Sequence, residues 1–143
     1  MAGLSLRRLR LNRHIRELTR DVRVSHEQFI QPLFVAEGIG AREPVAGLDQ
    51  VWRDTPDTLL KQIEQDLANG ISKFLLFGVP TNKAEQHFSF EFTAAQVAAI
   101  KQNFGDDIWL ANDVCLCSST SHGHCGVLND ATDHVVNDVS VAA

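Results

Sequence analysis

Three short apolar runs, separated by stretches of helical periodicity, constrain this 143-residue chain more than any other feature. Residues 29–35, apart from Gln31 and Pro32, read as a strand buried on both faces, and so do residues 74–77 and 108–114. Pro32 demands a bulge, a strand end or an unpaired edge at that point. Gly38, Gly40, Pro44 and Gly47 mark a long loop after the first run. Asp54-Thr55-Pro56 is a helix start with proline in the first helical position. Leu59, Leu60, Ile63 and Leu67 then recur on one face, and Asn69-Gly70 stops the helix. Gly78 and Pro80 stop the second strand, and a polar loop fills residues 81–92. Thr93 is the expected cap of the next helix, whose Val97, Ile100 and Phe104 face inward before Gly105 closes it. Strands alternating with helices predict an α/β fold with a parallel sheet.

The third run leads straight into residues 115–125, which hold all three cysteines of the chain: Cys115, Cys117 and Cys125. Thiolates prefer soft and borderline cations, with zinc foremost among the common ones. A structural zinc closes on four protein ligands, whereas a catalytic one keeps a position open. Here three thiols stand without a fourth, and His122 and His124 are near enough in sequence to fill the remaining place. The plainer reading is three free thiols of a reducing compartment. A disulfide is disfavoured by the odd count and by the strain of Cys-x-Cys closure.

Asp113-Val114-Cys115-Leu116-Cys117, followed by Thr120-Ser121-His122-Gly123-His124-Cys125-Gly126, resembles the zinc loop of the porphobilinogen synthase (5-aminolevulinate dehydratase) family. Arg7-Arg8-Leu9-Arg10, with Arg16 and Glu17, is similar to the N-terminal arm of that family. Residues 29–35 are similar to its first barrel strand, and residues 70–80 with Lys83 to its second strand and the loop beyond. Residues 135–141 are a looser match to the segment after the zinc loop. The family pattern carries a Tyr where this chain has Ser119, and often Pro or Glu where it has Ser118, so an aromatic wall is missing beside intact thiols.

The resemblance implies the first three strand-helix units of a (β/α)₈ barrel, with residues 1–24 as a basic arm and residues 25–143 as the barrel portion ending after the zinc loop. Such barrels need about 250 residues. It also implies zinc on Cys115, Cys117 and Cys125, acting as a Lewis acid toward the second of two 5-aminolevulinate molecules that condense to porphobilinogen in haem biosynthesis. Ser121, His122 and His124 are the expected supports of the ligating loop. Asp113 would steer a ligand at the metal, or else cap the loop through backbone N–H groups. The family's Schiff-base lysines match none of Lys61, Lys73, Lys83 or Lys101, so the chain by itself is expected to be an inactive part of the enzyme. An allosteric magnesium site of the family depends on residues outside this chain. The competing reading is a non-catalytic zinc-binding fragment or degenerate paralogue acting through a partner chain, or one half of a split protein.

Composition points to an ordinary globular chain, with 44% apolar and 22% charged residues. It offers no membrane span or signal core, and a cytoplasmic location is expected. The net charge of −5 gives no nucleic-acid or membrane signal but hides an asymmetry. Residues 1–24 hold seven arginines against Glu17 and Asp21, a net +5, while the remaining six bases and sixteen acids give −10. The arm reads as an Arg-rich organelle address, an anionic-surface patch, or a piece that docks on a neighbouring subunit. The last is favoured by the opposite charge of the rest, and the resemblance implies a homo-oligomer. Phe88, Phe90 and Phe92 alternate in the loop after the second strand, as an apolar edge on the barrel or as a lid over substrate.

Overall fold

The computed structural model describes residues 7–131 and 134–143. Helix α1 (Arg13–Thr19) is capped by Asn12, whose side chain accepts the Ile15 N–H at 3.0 Å. Then follow β1 (Gln31–Ala36), β2 (Glu43–Pro44), β3 (Trp52–Asp54), α2 (Pro56–Ala68), β4 (Lys73–Val79), α3 (Glu91–Phe104), β5 (Trp109–Asn112) and α4 (Asn137–Ala142). The sheet order is β2-β3-β1-β4-β5. Strands β1, β4 and β5 are the three expected ones, and they run parallel as neighbours. The expected long loop after β1 instead contains a short hairpin: β2 is antiparallel to β3, which lies parallel to β1 at Phe34 and Val35. Two- and three-residue strands are too short to show a period in sequence. A further tie is not legible there either, since Arg42 Nε reaches the buried Asp54 carboxylate at 3.0 Å and its guanidinium lies 5.0 Å from the Trp52 ring centre.

Element boundaries follow local chemistry. Phe29 and Ile30 precede β1 and are exposed, so that strand starts two residues later than its apolar run. Pro32 lies in the half of β1 that β3 leaves uncovered, an edge position where a missing N–H is tolerated. Helix α2 begins as expected, with Thr55 and Thr58 forming a reciprocal cap and Pro56 in the first turn. It ends at Asn69, and Gly70 takes φ +86°. Thr93 does not cap α3. The helix starts two residues earlier, without a side-chain cap, because Thr93 has another task. A Cβ built on Gly78 would sit 2.0 Å from Thr93 Oγ1, so the glycine lets α3 lie against β4. Gly78 therefore belongs inside the strand rather than stopping it.

Period-2 alternation sorts the strands. Leu33 and Val35 of β1 and Phe74 and Leu76 of β4 turn to the helices, where they meet Leu59, Ile63 and Ile100. Each such side chain contributes about 1.5–3 kcal/mol when fully buried, several times the worth of an exposed pair such as Arg13 with Glu17. On the opposite face, Phe34 and Phe77 stack at 4.8 Å, outside the core cluster that α2 and α3 cover among the described residues. No helix among the described residues is long and apolar enough to cross a membrane.

Candidate metal centre

The carboxyl ends of the parallel strands are laced together. Glu37 N–H donates to Val79 O at 2.9 Å, Thr81 N–H to Glu37 Oε2 at 2.9 Å, and Asp113 N–H to Leu76 O at 2.9 Å. The chain leaving β5 therefore starts its loop from a fixed point. Leu116–Ser118 makes one 3₁₀ turn, and the Ser119 and Thr120 N–H groups both donate to Leu116 O. Thr120 Oγ1 then donates to His124 O at 2.8 Å, and Gly123 turns the chain with φ +77°. Beyond the loop, Val127 is buried, and its N–H donates to Ser140 Oγ at 2.9 Å, pinning α4 beneath the return segment. Gly126 leaves no room for a Cβ, which would lie 2.5 Å from Ser140 Oγ and from Val135.

This folding brings Cys115, Cys117 and Cys125 together, with ligating atoms all within 4.8 Å of one another. A tetrahedral zinc with Zn–S bonds of about 2.3 Å spaces its sulfurs by roughly 3.8 Å, so a small contraction closes the set on such an ion. All three thiols are free, Cys115 half-buried and the other two exposed. Their protonation is unequal. The Cys117 backbone N–H and then the Cys125 thiol hydrogen-bond to Cys115 and lower its pKa. Cys117 is pushed up to about 11, first by its bond to Cys115 and then by burial. Cys125 is raised mainly by Cys115 as well, and the Asp113 charge adds to the rise in both.

The other expected site residues take different places. Asp113 is half-buried at the end of β5, close enough to act on all three thiols by charge but outside the three-ligand cluster. The imidazoles of His122 and His124 lie 5.3 Å apart, with His122 Nδ1 accepting the His124 N–H at 3.2 Å, and neither joins the sulfur group. Ser121 is exposed and contributes its backbone N–H, donated to Ala84 O at 3.0 Å. The phenylalanines divide: Phe92 packs on the core, whereas Phe90 is half-exposed and borders a cavity of about 620 Å³ together with Val97, Val114 and Cys115. Sequence reasoning missed Lys83 as a neighbour of the thiols. Its Nζ donates to Ser118 O, and burial lowers its pKa while the Cys117 charge pulls the other way. Nothing in a polar loop some 35 positions upstream signals that approach.

Comparison with known proteins gives the chain a set of relatives. The family profile described as Delta-aminolevulinic acid dehydratase matches residues 4–143. The protein of that name from Archaeoglobus fulgidus is 36% identical over 137 residues, covering 93% of this chain and 41% of the relative. The one from Staphylococcus epidermidis is 32% identical over 138 residues, covering 94% and 43%. The crystal structure of delta-aminolevulinic acid dehydratase (porphobilinogen synthase) from Toxoplasma gondii ME49, in complex with the reaction product porphobilinogen, superposes with a TM-score of 0.85 at 28% identity. It covers 98% of this chain and 41% of that one. The chain thus spans about two fifths of the length of the relatives it matches.

Proposed function

Because the chain belongs to the delta-aminolevulinic acid dehydratase family, we propose that it is part of an enzyme that condenses two 5-aminolevulinate molecules to porphobilinogen, and that it supplies the metal-binding corner of that site. The observation that carries the proposal is the approach of three sulfurs to within 4.8 Å at the carboxyl end of a parallel sheet, the end where barrel enzymes place their chemistry. Cys115, Cys117 and Cys125 would hold a zinc ion there, which would supply Lewis acidity toward the substrate. Asp113 sets the local charge, and Thr120, through His124 O, holds the return of the loop toward Cys125.

The Schiff-base lysines of the reaction are assigned to the rest of the barrel. Lys61 stands on the exposed side of α2, Lys73 donates to Glu27 O at the amino end of β4, and Lys101 donates to Gly105 O at 2.6 Å. Lys83 is held by Ser118 O. None of them matches a Schiff-base lysine of the family. In this reading the basic arm docks on another subunit, and the protein works as a homo-oligomer in the cytoplasm. Zinc content tests the metal: about one zinc per chain is expected, lost on replacing all three cysteines by alanine. Cadmium should displace it and magnesium should not. Full zinc retention in the triple variant would refute the assignment.

A further inference from the structure

Residues 83 and 84 lie against the middle of the cysteine loop by three connections. Lys83 Nζ donates to Ser118 O. Ala84 N–H donates to Ser119 O at 3.0 Å, and Ala84 O accepts the Ser121 N–H at 3.0 Å, so that Ala84 and Thr120 form a parallel bridge. The bridged stretch lies between Cys117 and Cys125, in the wider of the two gaps between consecutive ligands. Ser119 and Thr120 are buried beneath the strap although their neighbours Cys117 and Ser121 are exposed. The strap follows Thr81, which lies just beyond the end of β4 and is itself fixed to Glu37 by two bonds.

Charge adds to this geometry. Three thiolates around a divalent cation leave one net negative charge, and Asp113 adds another beside them. An ammonium near Cys117 opposes that excess. Lys101 on α3 is engaged by Gly105 O instead.

We propose that Lys83 is a positioning residue for the metal site: its ammonium ties Ser118 to the strap, holds the loop in the shape that brings the three sulfurs together, and offsets the charge of the thiolate-bound cation. The proposal rests on the metal reading above and assigns a residue outside the cysteine loop to the same site.

Lys83→Met removes the ammonium while keeping the stem, and Lys83→Gln keeps a donor without charge. The side chain is exposed, so neither change disturbs the core. Two quantities are measured on the full chain: amide hydrogen exchange of residues 116–121 in metal-free protein, and zinc affinity by competition with a chromophoric chelator. In K83M the loop should exchange faster, and zinc should bind about 10–100-fold more weakly, the usual loss when a group supporting a ligand is removed. K83Q should recover the exchange protection but not the full affinity, and Lys83→Arg should restore part of both. Zinc affinity in K83M equal to that of the wild type would overturn the proposal, and full recovery in K83Q would overturn the role of charge. A wild-type chain that takes up no zinc would end the metal reading instead. The exchange comparison would then decide by itself whether Lys83 holds the loop: faster exchange in K83M supports it, and unchanged exchange overturns it.

Discussion

Cys115 accepts hydrogen bonds that its two neighbours donate, so the cluster parts with its first proton easily and with the next two reluctantly. Metal binding has to remove those remaining protons. The raised pKa values of Cys117 and Cys125 therefore make zinc affinity climb with pH across the neutral range, by up to about tenfold per pH unit for each proton released. Chelator competition near pH 6 and near pH 8 checks this, and an affinity flat in pH would contradict a thiol-only ligand set. The lysines give a second test at this scale. Borohydride trapping with 5-aminolevulinate should label none of Lys61, Lys73, Lys83 and Lys101 stoichiometrically if, as proposed, the Schiff-base lysines belong to the rest of the barrel. Specific labelling of Lys83, the one beside the thiols, would mean a rewired site. The cysteines themselves were legible in sequence because their spacing is short and their chemistry unusual. Lys83 and Phe90 were not, because what brings them to the thiols is a bridge between two loops and the placing of the start of α3, which leave no periodic trace.

Gly78 shows how an element depends on one missing methyl group. A Cβ there would meet Thr93 Oγ1 at 2.0 Å, Cγ2 at 2.8 Å and Cβ at 2.9 Å. Side-chain rotation cannot relieve the last of these, so Gly78→Ala must push α3 outward. The expected cost is about 1–3 kcal/mol, the usual range for overpacking, read as a lower denaturation midpoint. Thr93→Ala should recover part of it in a double-mutant cycle, since the two residues are in contact. Additive effects would show that α3 does not rest on this glycine. The same pair explains an error of sequence reading: a threonine near a helix start looks like a cap, and a glycine after an apolar run looks like a stop. Both are here because β4 and α3 approach closely. The three parallel strands and both long helices were readable because their periods persist over enough residues, as at Leu59 and Ile63 of α2. The hairpin of β2 and β3 was not, because Arg42, Asp54 and Trp52 hold it through contacts distant in sequence.

At the scale of the molecule, among the described residues β5 pairs with β4 alone, and β3 covers only Phe34 and Val35 of β1. An unpaired parallel edge presents a row of free N–H and C=O groups to any other strand. Apolar surface accompanies it. Trp109 on β5 is 52% exposed, Val114 beyond it 84%, and the 620 Å³ cavity lies between α3 and the chain leaving β5. The aromatic face with Phe34 and Phe77 lies outside the core cluster among the described residues. Soluble monomers seldom leave contiguous apolar patches beyond a few hundred Å² uncovered. The arm supplies a further reason to associate, since its +5 charge and exposed α1 face a remainder of opposite sign. The isolated chain is therefore expected to be oligomeric or aggregation-prone rather than a stable monomer. Co-expression with the part of a family barrel that it lacks relative to its matches should rescue it, because closing a barrel pairs the open strand edges. Sedimentation should show self-association that falls when the complementing part is present, and hydrogen exchange should show β5 protected only then. A monodisperse monomer with slow exchange in β1, β4 and β5 would mean that the open edge is closed by some other arrangement of this chain, and the barrel-portion reading would have to give way to a self-contained fold.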